Sequence, residues 1–483
     1  MRMREVAWLI GVIVLMGALA PSTTSGAGYS REWSRPVPER GEGTGAVPVV
    51  EAEELVYTFA PANNGAGPMW CYGSTCIVRM GQDVYVSGLE TLPQYKPLNN
   101  TCWVLYRRTA GGWSVVRKDE TGRTREPCPI AMTSDGRLYL SANPTLTPPD
   151  AYNGPSRPEV LLFDTRKLGE PPAVLLPRWE GQPPFTEHSY RGFCADGPHR
   201  ELLLMNIQGH EAQHWSFRDR MGRWSACGKW VFPMGMEYER PERIRLCYPV
   251  LAMKNRAAHV LAISDIVEPV RQWREFKRQL TGQEWDYDFR RLFYAWTPDV
   301  QRQGFGEAVE VASREMTCGH ITNLDIHLER PDRAHLLWLE RSVWYPQMRD
   351  RFFPGTPITV SLETAVVERG RVVRRTTLWK GGEGADAVQP GYGRFHVTPD
   401  GRLFVFGYFH GTGPDGKAVS ENRLLELDRS GSVRRVYPVP LKHPFTSFMT
   451  ATERAGSPRT RWLDVLGTAS GVDGISYARI RVP

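Results

Sequence analysis

The chain has 483 residues, of which 41% are apolar and 11% aromatic, so it can bury a large core within one domain. The 60 basic and 53 acidic residues leave a net charge of +7, without a run of Lys or Arg that would follow a nucleic-acid backbone. We therefore expect no nucleic-acid partner. Of the basic residues, 51 are arginine and nine are lysine. This bias favours an acidic substrate, because guanidinium groups pair with carboxylates and sulfates, and a GC-rich genome explains it equally well.

The N-terminus has the pattern of an export signal. A basic start at residues 1–4 is followed by an apolar run at residues 6–20 that is shorter than a membrane-spanning helix. We predict a signal peptide over residues 1–27 and, from their Pro, Gly and charge content, a flexible lead-in over residues 28–51. The mature protein is then expected to be secreted or periplasmic, of bacterial origin, and without membrane contact.

Seven turns, each followed by an apolar strand, recur along residues 52–483 at intervals of about one propeller blade. Asp-Gly pairs in four of these turns supply the positive φ angles of a tight hairpin. We predict an all-β fold, a monomeric seven-bladed β-propeller over residues 52–483. The turns are Gly81-Gln82-Asp83, Asp135-Gly136-Arg137, Asp196-Gly197-Pro198, Asn255-Arg256, Asp332-Arg333, Asp400-Gly401-Arg402 and Asp473-Gly474.

One segment breaks the strand pattern. Val270, Trp273, Phe276 and Leu280 fall on one face of a helix, and Gly282 is a stop signal. We expect a short amphipathic helix in an insertion over about residues 265–294. Such an insertion lies across one face of the disc, where propellers place their functional loops.

The segment Glu187-His188-Ser189-Tyr190-Arg191 precedes the third turn and lies close to the innermost strand of its blade. In an extended chain, His188 and Tyr190 share one face. Histidine can take a proton, tyrosine can donate one, and arginine can neutralise a carboxylate. β-Elimination from a uronic acid requires these three tasks, so we predict His188, Tyr190 and Arg191 as catalytic residues. The alternative is a strand start whose tyrosine is half-buried and structural.

The segment His210-Glu211-Ala212-Gln213-His214 matches the His-Glu-x-x-His motif of zinc metalloproteases, which requires a helix. The flanking residues predict strands, so a zinc metalloenzyme is a minor alternative. On a strand, His210 and His214 still share one face. We take His210 as a further catalytic candidate and His214 as a substrate-binding candidate, and the other interpretation is that both histidines line blade loops.

Further substrate-binding candidates lie on other blades or in the aromatic stretch after the predicted helix. Arg290 is a second choice, beside Arg191, for pairing with a uronate carboxylate. The candidates are Tyr248, Tyr287, Arg290, Arg291, Tyr294 and His320, with His327 and His410 as additional histidines.

The eight cysteines include two pairs suited to local disulfides in an exported protein, Cys71 with Cys76 and Cys102 with Cys128. Their spacing does not match a paired Cys-x-x-Cys zinc site. We predict no metal site and no required cofactor, although the sequence is compatible with a bound divalent cation.

Two segments and the repeat point to one family. The segments are Asn64-Gly65-Ala66 with Trp70-Cys71, and His188 to Gly192 before an Asp-Gly turn. Together with the seven-blade repeat, they resemble the BNR-repeat, sialidase-like propellers that include ulvan lyases and related rhamnose-glucuronate-active enzymes. Residues 216–224 are similar to the Asp-box turn of such repeats, with altered spacing. The resemblance implies a lyase in which a histidine, a tyrosine and an arginine act together, here His188, Tyr190 and Arg191, with His210 as a second histidine.

We therefore expect an exported carbohydrate-active propeller that acts on an acidic polysaccharide by β-elimination. One alternative is a sialidase-like or rhamnosidase-like glycoside hydrolase with paired carboxylates, Asp286 or Asp288 with Glu340. Another is a glycan-binding propeller without catalytic activity, in which Trp285 and Trp344 would stack on sugar rings.

Overall fold

The computed structural model describes residues 46–70, 73–283 and 287–483. The predicted signal peptide and most of the predicted lead-in lie outside these residues. Within them, seven four-stranded antiparallel sheets are arranged around a central channel, and the innermost strands of neighbouring sheets contact one another. The predicted seven-bladed β-propeller is confirmed.

Blades 1 to 6 each consist of four strands that follow in chain order from innermost to outermost, with a short hairpin inserted within blade 4. Blade 1 contains Ile77–Met80, Asp83–Thr91, Thr101–Thr109 and Gly112–Lys118, and blade 2 contains Ile130–Thr133, Arg137–Ala142, Glu159–Asp164 and Ala173–Leu175. Blade 3 contains Gly192–Asp196, Glu201–Gln208, Ala212–Arg218 and Trp224–Val231, and blade 4 contains Leu246–Lys254, Ala257–Ser264, Arg291–Thr297 and Val309–Ser313. Blade 5 contains His320–Arg330, Arg333–Arg341, Thr359–Glu368 and Arg371–Gly382, and blade 6 contains Val388–Val397, Leu403–Thr412, Ala418–Leu427 and Val433–Val439.

Blade 7 closes the ring by joining the two ends of the described chain. Its inner strands are Phe445–Thr450, Trp462–Ala469 and Ile475–Arg481, and its outermost strand is Val49–Tyr57. Val49 pairs with Arg481 and Tyr57 with Ile475. The propeller therefore begins at Val49, three residues before the predicted start at residue 52, because the closing strand uses part of the predicted lead-in.

Because neighbouring strands of a blade run antiparallel, every connection between strands lies at one of the two faces of the disc. We call the face where the innermost strands begin the upper face and the opposite face the lower face. Six of the predicted turns join the first and second strands of blades 1 to 6, at the lower face. The seventh, Asp473-Gly474, joins the second and third strands of blade 7 and lies at the upper face.

Insertions enlarge the upper face at blades 4 and 5. The described residues contain two α-helices, α1 (Arg271–Thr281) and α2 (Pro346–Phe352), each inserted between the second and third strands of its blade, and one short 3₁₀ helix, Glu315–Thr317. Helix α1 ends at Gly282, which has the left-handed φ of 69° expected of a stop residue. The two helices pack through Phe276 against Phe352 and Trp273 against Phe353, with ring centroids 5.5 and 5.3 Å apart. None of the described helices is long and apolar enough to cross a membrane.

Two short hairpins complete the upper face. They pair Met234–Gly235 with Glu242–Arg243 and Ile266–Val267 with Tyr287–Asp288. The first lies in the connection from blade 3 to blade 4, and the second carries the base of the α1 insertion. Both therefore border the start of the innermost strand of blade 4.

Candidate active site

A buried carboxylate holds the segment that precedes blade 3. Glu126 accepts hydrogen bonds from the Ser189 N–H at 3.0 Å, the Ser189 hydroxyl at 2.6 Å and the Tyr190 N–H at 3.0 Å. It is also paired with Arg125 at 3.1 Å. Glu126 lies 63 residues from Ser189 in sequence, so the ring of blades, and not the local sequence, sets the shape of this segment.

Within this segment, a second carboxylate orients a histidine. Glu187 is buried, and its Oε1 lies 3.0 Å from His188 Nδ1. Burial opposes ionisation, but the hydrogen bonds from His188 and the Gly154 N–H hold the pKa of Glu187 below its ordinary value. The ionised carboxylate favours the tautomer in which Nδ1 carries the proton. His188 is partly exposed, with 39% of its side chain accessible, so its Nε2 is left as a proton acceptor.

Tyr190 lies beside His188 in a strained backbone conformation. Its φ is +37°, which non-glycine residues adopt rarely and mostly where surrounding contacts enforce it. The rings of His188 and Tyr190 are 6.4 Å apart and nearly parallel. Burial raises the pKa of Tyr190 well above its ordinary value, and the nearby Asp265 carboxylate adds to this effect. Tyr190 is thus a protonated phenol at neutral pH.

Arg245 is the centre of the same cluster. Its guanidinium carbon lies 5.2 Å from the centroid of the Tyr190 ring and 5.6 Å from that of Tyr287. The group donates to Asp265, which also accepts a hydrogen bond from the Cys247 thiol at 2.9 Å. The Nη1 atom lies 3.5 Å from His210 Nε2. Partial burial and the positive charge of Arg245 lower the pKa of His210, so its imidazole is neutral at pH 7.

Aromatic rings extend this cluster across the upper face from blade 3 to blade 5. We call the set Tyr190, Tyr248, Phe289, His320 and Trp344 the aromatic row. Successive centroids are 5.1, 6.1, 5.9 and 4.0 Å apart. Tyr248 also has a positive φ, of 51°, and contacts Trp70 edge-on at 5.7 Å. Tyr190 and Tyr248 are buried in the core, whereas Phe289, His320 and Trp344 are partly exposed and can pack against sugar rings.

The structure thus brings together His188, Tyr190, His210, Tyr248 and Tyr287, with His320 at the far end of the row. Arg191 takes no part in this surface. It is 1% exposed, donates to the Pro127 carbonyl, and has two further buried nitrogens without hydrogen-bond partners among the described residues. Its guanidinium points between blades, away from the position at which it could meet a substrate carboxylate.

Three other predicted substrate-binding residues are placed in the interior or at the rim of blade 4. Arg290 is fully buried and paired with Glu268 at 2.6 Å. Tyr294 is also fully buried, and its hydroxyl lies 2.8 Å from His259 Nδ1. Arg291 pairs with carboxylates at the rim, away from the aromatic row. These positions assign the three residues to packing and ion pairing.

The two histidines of the His-Glu-x-x-His segment lie in different elements. Gly209 to Glu211 form the hairpin turn between the second and third strands of blade 3, and His214 lies inside the third strand. Its Nε2 is bonded to Gln208 at 2.7 Å. The segment therefore lacks the helix that a zinc protease requires. Among the described residues, no group of three or more His, Cys, Asp or Glu side chains is arranged to hold a metal ion.

The carboxylates proposed for a hydrolase are engaged elsewhere. Asp288 is buried, and its Oδ2 lies 3.1 Å from Arg290 Nε. Glu340 is 2% exposed and accepts from Arg314 and Arg375. Asp286 lies outside the described residues, as does Trp285, one of the two predicted stacking platforms. The other platform, Trp344, is the end of the aromatic row.

The predicted disulfide between Cys102 and Cys128 is not formed, and both residues are free, buried thiols. Burial raises the pKa of Cys102 to about 12 and that of Cys128 to about 11, so both are protonated and unreactive. Cys71 lies outside the described residues, so its pairing with Cys76 stays a prediction.

Sequence reasoning missed Glu126, Arg245 and Asp265 as parts of the site. One local pattern could have indicated Arg245. A charged residue stands three positions before a tyrosine near the start of an innermost strand in both blade 3, with Glu187 and Tyr190, and blade 4, with Arg245 and Tyr248. No comparable signal exists for Glu126, because its partners are distant in sequence.

Several solved structures resemble the chain at low sequence identity. The alpha-L-arabinofuranosidase of Fusarium graminearum bound to arabinobiose has 10% identity over 73% of this chain and 93% of its own, with a TM-score of 0.37. Polysaccharide lyase Uly1 has 10% identity over 73% and 89%, with a TM-score of 0.36. A Synechocystis apocarotenoid oxygenase has 12% identity over 87% and 86%, with a TM-score of 0.41. No protein-family model and no curated protein matches. These similarities are weak and the proteins differ in activity, so they do not define a function for this chain.

Proposed function

We propose that this protein is a carbohydrate-active propeller that cleaves an acidic polysaccharide by β-elimination at the upper face. The observation that carries the proposal is the Glu187–His188 pair beside Tyr190. It combines a histidine whose tautomer is set by a buried carboxylate with a phenol that keeps its proton. A base oriented by a third group and an acid next to it are the two proton-transfer groups that elimination needs.

The step follows from these roles. His188 Nε2 removes the proton at C5 of the uronate, and the electrons of the C5–H bond form the C4–C5 double bond. The bond between C4 and the glycosidic oxygen breaks, and the Tyr190 hydroxyl gives its proton to that oxygen. Solvent then returns the proton from His188 to Tyr190, so the reaction needs neither an oxidant nor a water nucleophile.

Other features support a glycan as the substrate. The partly exposed rings of the aromatic row, Phe289, His320 and Trp344, supply packing surface for sugar rings on the same face as the proton-transfer pair. The predicted signal peptide would place the protein outside the cytoplasm, where such polymers occur. Arg245 would keep Tyr190 and Tyr287 in place through contacts with both rings, which makes it a positioning residue.

The test uses the mature protein with a panel of uronate-containing and neutral polysaccharides. We expect new reducing ends together with the ultraviolet absorbance of an unsaturated uronate. His188→Ala and Tyr190→Phe should each lower kcat by about 10²–10⁴-fold, which is the contribution of a positioned proton-transfer group. The thermal midpoint should change little for His188→Ala because this side chain is partly exposed.

His199→Ala is the matched control. His199 belongs to the same blade and pairs with Asp196 at 2.9 Å, but this pair is at the lower face. It should leave kcat unchanged. Full elimination activity in His188→Ala would contradict the proposal.

The second candidate is a glycan-binding propeller without catalysis. The aromatic row favours it, because sugars can bind to aromatic side chains without an acid–base pair. Saturable glycan binding without any product in either assay would establish this function in place of the lyase.

A further inference from the structure

Arg341 is a cation without an acidic partner at the upper face. It ends the second strand of blade 5, and its guanidinium carbon lies 5.6 Å from the centroid of the Trp344 ring. Within the part of the chain that the structure describes, no carboxylate forms an ion pair with Arg341, and its Nε is buried without a hydrogen-bond partner. Burial alone lowers the pKa of Arg341 from its ordinary value, because no negative charge compensates for it.

The groups around Arg341 are aromatic and neutral. His320 stacks on Trp344 at 4.0 Å, and Tyr345 contacts Trp344 edge-on at 5.8 Å. Burial, followed by the charge of Arg341, lowers the pKa of His320 to about 3. The same two causes lower the pKa of His410, which ends the corresponding strand of blade 6. Both imidazoles are neutral at pH 7, so neither adds charge beside Arg341, and the other cation that acts on His320, Lys277, is paired with Glu268 at 2.9 Å.

A half-buried guanidinium that stays unpaired has lost hydration without gaining an ion pair. It recovers that cost when an anion binds. The Trp344 ring packs against the guanidinium, and of its nitrogens Nε is buried without a partner, which leaves the two Nη atoms to bind a ligand at the end of the aromatic row. A planar fork of N–H donors suits the two oxygens of a carboxylate or a sulfate.

We propose that Arg341 and Trp344 form a subsite for a sugar that carries an oxyanion, either a carboxylate or a sulfate ester. That the anion belongs to a glycan rests on the proposed function. The subsite lies at the opposite end of the aromatic row from His188 and Tyr190, so it recognises a unit of the chain other than the one that is cleaved. Arg341 is thus a specificity-determining residue for a sugar unit other than the one that is cleaved.

Binding is measured by calorimetry in the His188→Ala background, so that no product forms. The ligands are three sets of oligosaccharides of equal length: uronate-containing, sulfated and neutral. Arg341→Leu should weaken binding of the charged set that this protein prefers by at least about tenfold and leave the neutral set unchanged. Arg341→Lys should recover part of the loss, because it restores the charge without the planar fork.

Arg402→Leu is the control. It removes one positive charge and one guanidinium packed over an aromatic ring, Phe404 at 5.3 Å, but Arg402 lies at the lower face. Affinity for every ligand should be retained in this variant.

The two charged sets distinguish a carboxylate from a sulfate as the preferred anion. If His188→Ala binds both charged sets equally well with and without the Arg341→Leu change, the subsite is overturned and the proposed function is unaffected. A parent protein that binds none of the three sets would overturn both.

Discussion

Arg290 and Arg341 lie in neighbouring insertions of the upper face and have opposite surroundings. Arg290 is fully buried beneath α1 and pairs with Glu268, Asp288 and Glu315 at 2.6, 3.1 and 2.9 Å. Arg341 packs over Trp344 and has no carboxylate partner among the described residues. The first arginine is neutralised by the protein, whereas the second is left for a ligand.

The comparison explains why composition is a poor guide to function here. Several buried arginines behave as Arg290 does, with Arg79 paired to Asp464 at 2.5 Å and Arg454 to Asp325 at 2.9 Å. Part of the interior arginine charge therefore stabilises the fold through ion pairs with buried carboxylates. Arginine content alone does not report on the substrate.

The largest expected effect is at Arg290. Arg290→Leu leaves three carboxylates without their common cation, so we expect the free energy of unfolding to fall by about 3–5 kcal/mol. Chemical denaturation of the purified variant measures this loss of stability. Arg271→Leu is the control, because its pair with Glu275 on α1 is exposed and should be worth less than about 0.5 kcal/mol. Equal stability of the two variants would show that the Arg290 cluster does not stabilise the fold.

The second prediction concerns pH and His320. Its pKa is about 3 in the folded protein against an ordinary 6.5, so below pH 6.5 the unfolded state binds a proton that the folded state does not. Stability therefore falls as pH drops from 6.5 toward 3, by about 1.4 kcal/mol per pH unit for this group.

In His320→Gln this part of the slope should disappear. His259 and His396, with pKa values lowered to about 4 by burial, add to the slope in both proteins, so the difference between the two curves is the measurement. The free energy of unfolding is measured by urea denaturation between pH 6.5 and 4.5. If it falls with pH equally in the variant and in the unmodified protein, the low pKa does not belong to His320.

The smallest expected effect is on the stability of Arg341→Leu. Removing a partly buried charge that has no partner should leave the free energy of unfolding unchanged or raise it by up to about 1 kcal/mol, since residues kept for binding often cost stability. Thermal unfolding in ligand-free buffer tests this. A loss above 2 kcal/mol would place Arg341 with Arg290 among the structural arginines.

Part of the candidate site could be predicted from sequence. His188 and Tyr190 are two residues apart, so their proximity follows from the sequence, although Tyr190 is not extended and has a φ of +37°. Tyr248 and Tyr287, which are predicted from residue type, lie near them. The sequence predicts that Arg191 faces a substrate because a guanidinium can neutralise a uronate carboxylate. The structure instead buries it between blades, which a neighbouring residue cannot reveal.

Local chemistry in the sequence is enough to predict seven blades, the turns that lead into their strands and a helix that stops at Gly282, because turn preferences, strand alternation and helix periodicity act over a few residues. The partners of Glu126 depend on how blade 2 packs against blade 3, and those of Arg290 on how the α1 insertion folds over blade 4. Whether a charge is buried, paired or free is decided by those long-range contacts. For that reason the tertiary structure, and not the sequence pattern, separates Arg290, which is held by carboxylates, from Arg341, which has no carboxylate partner among the described residues.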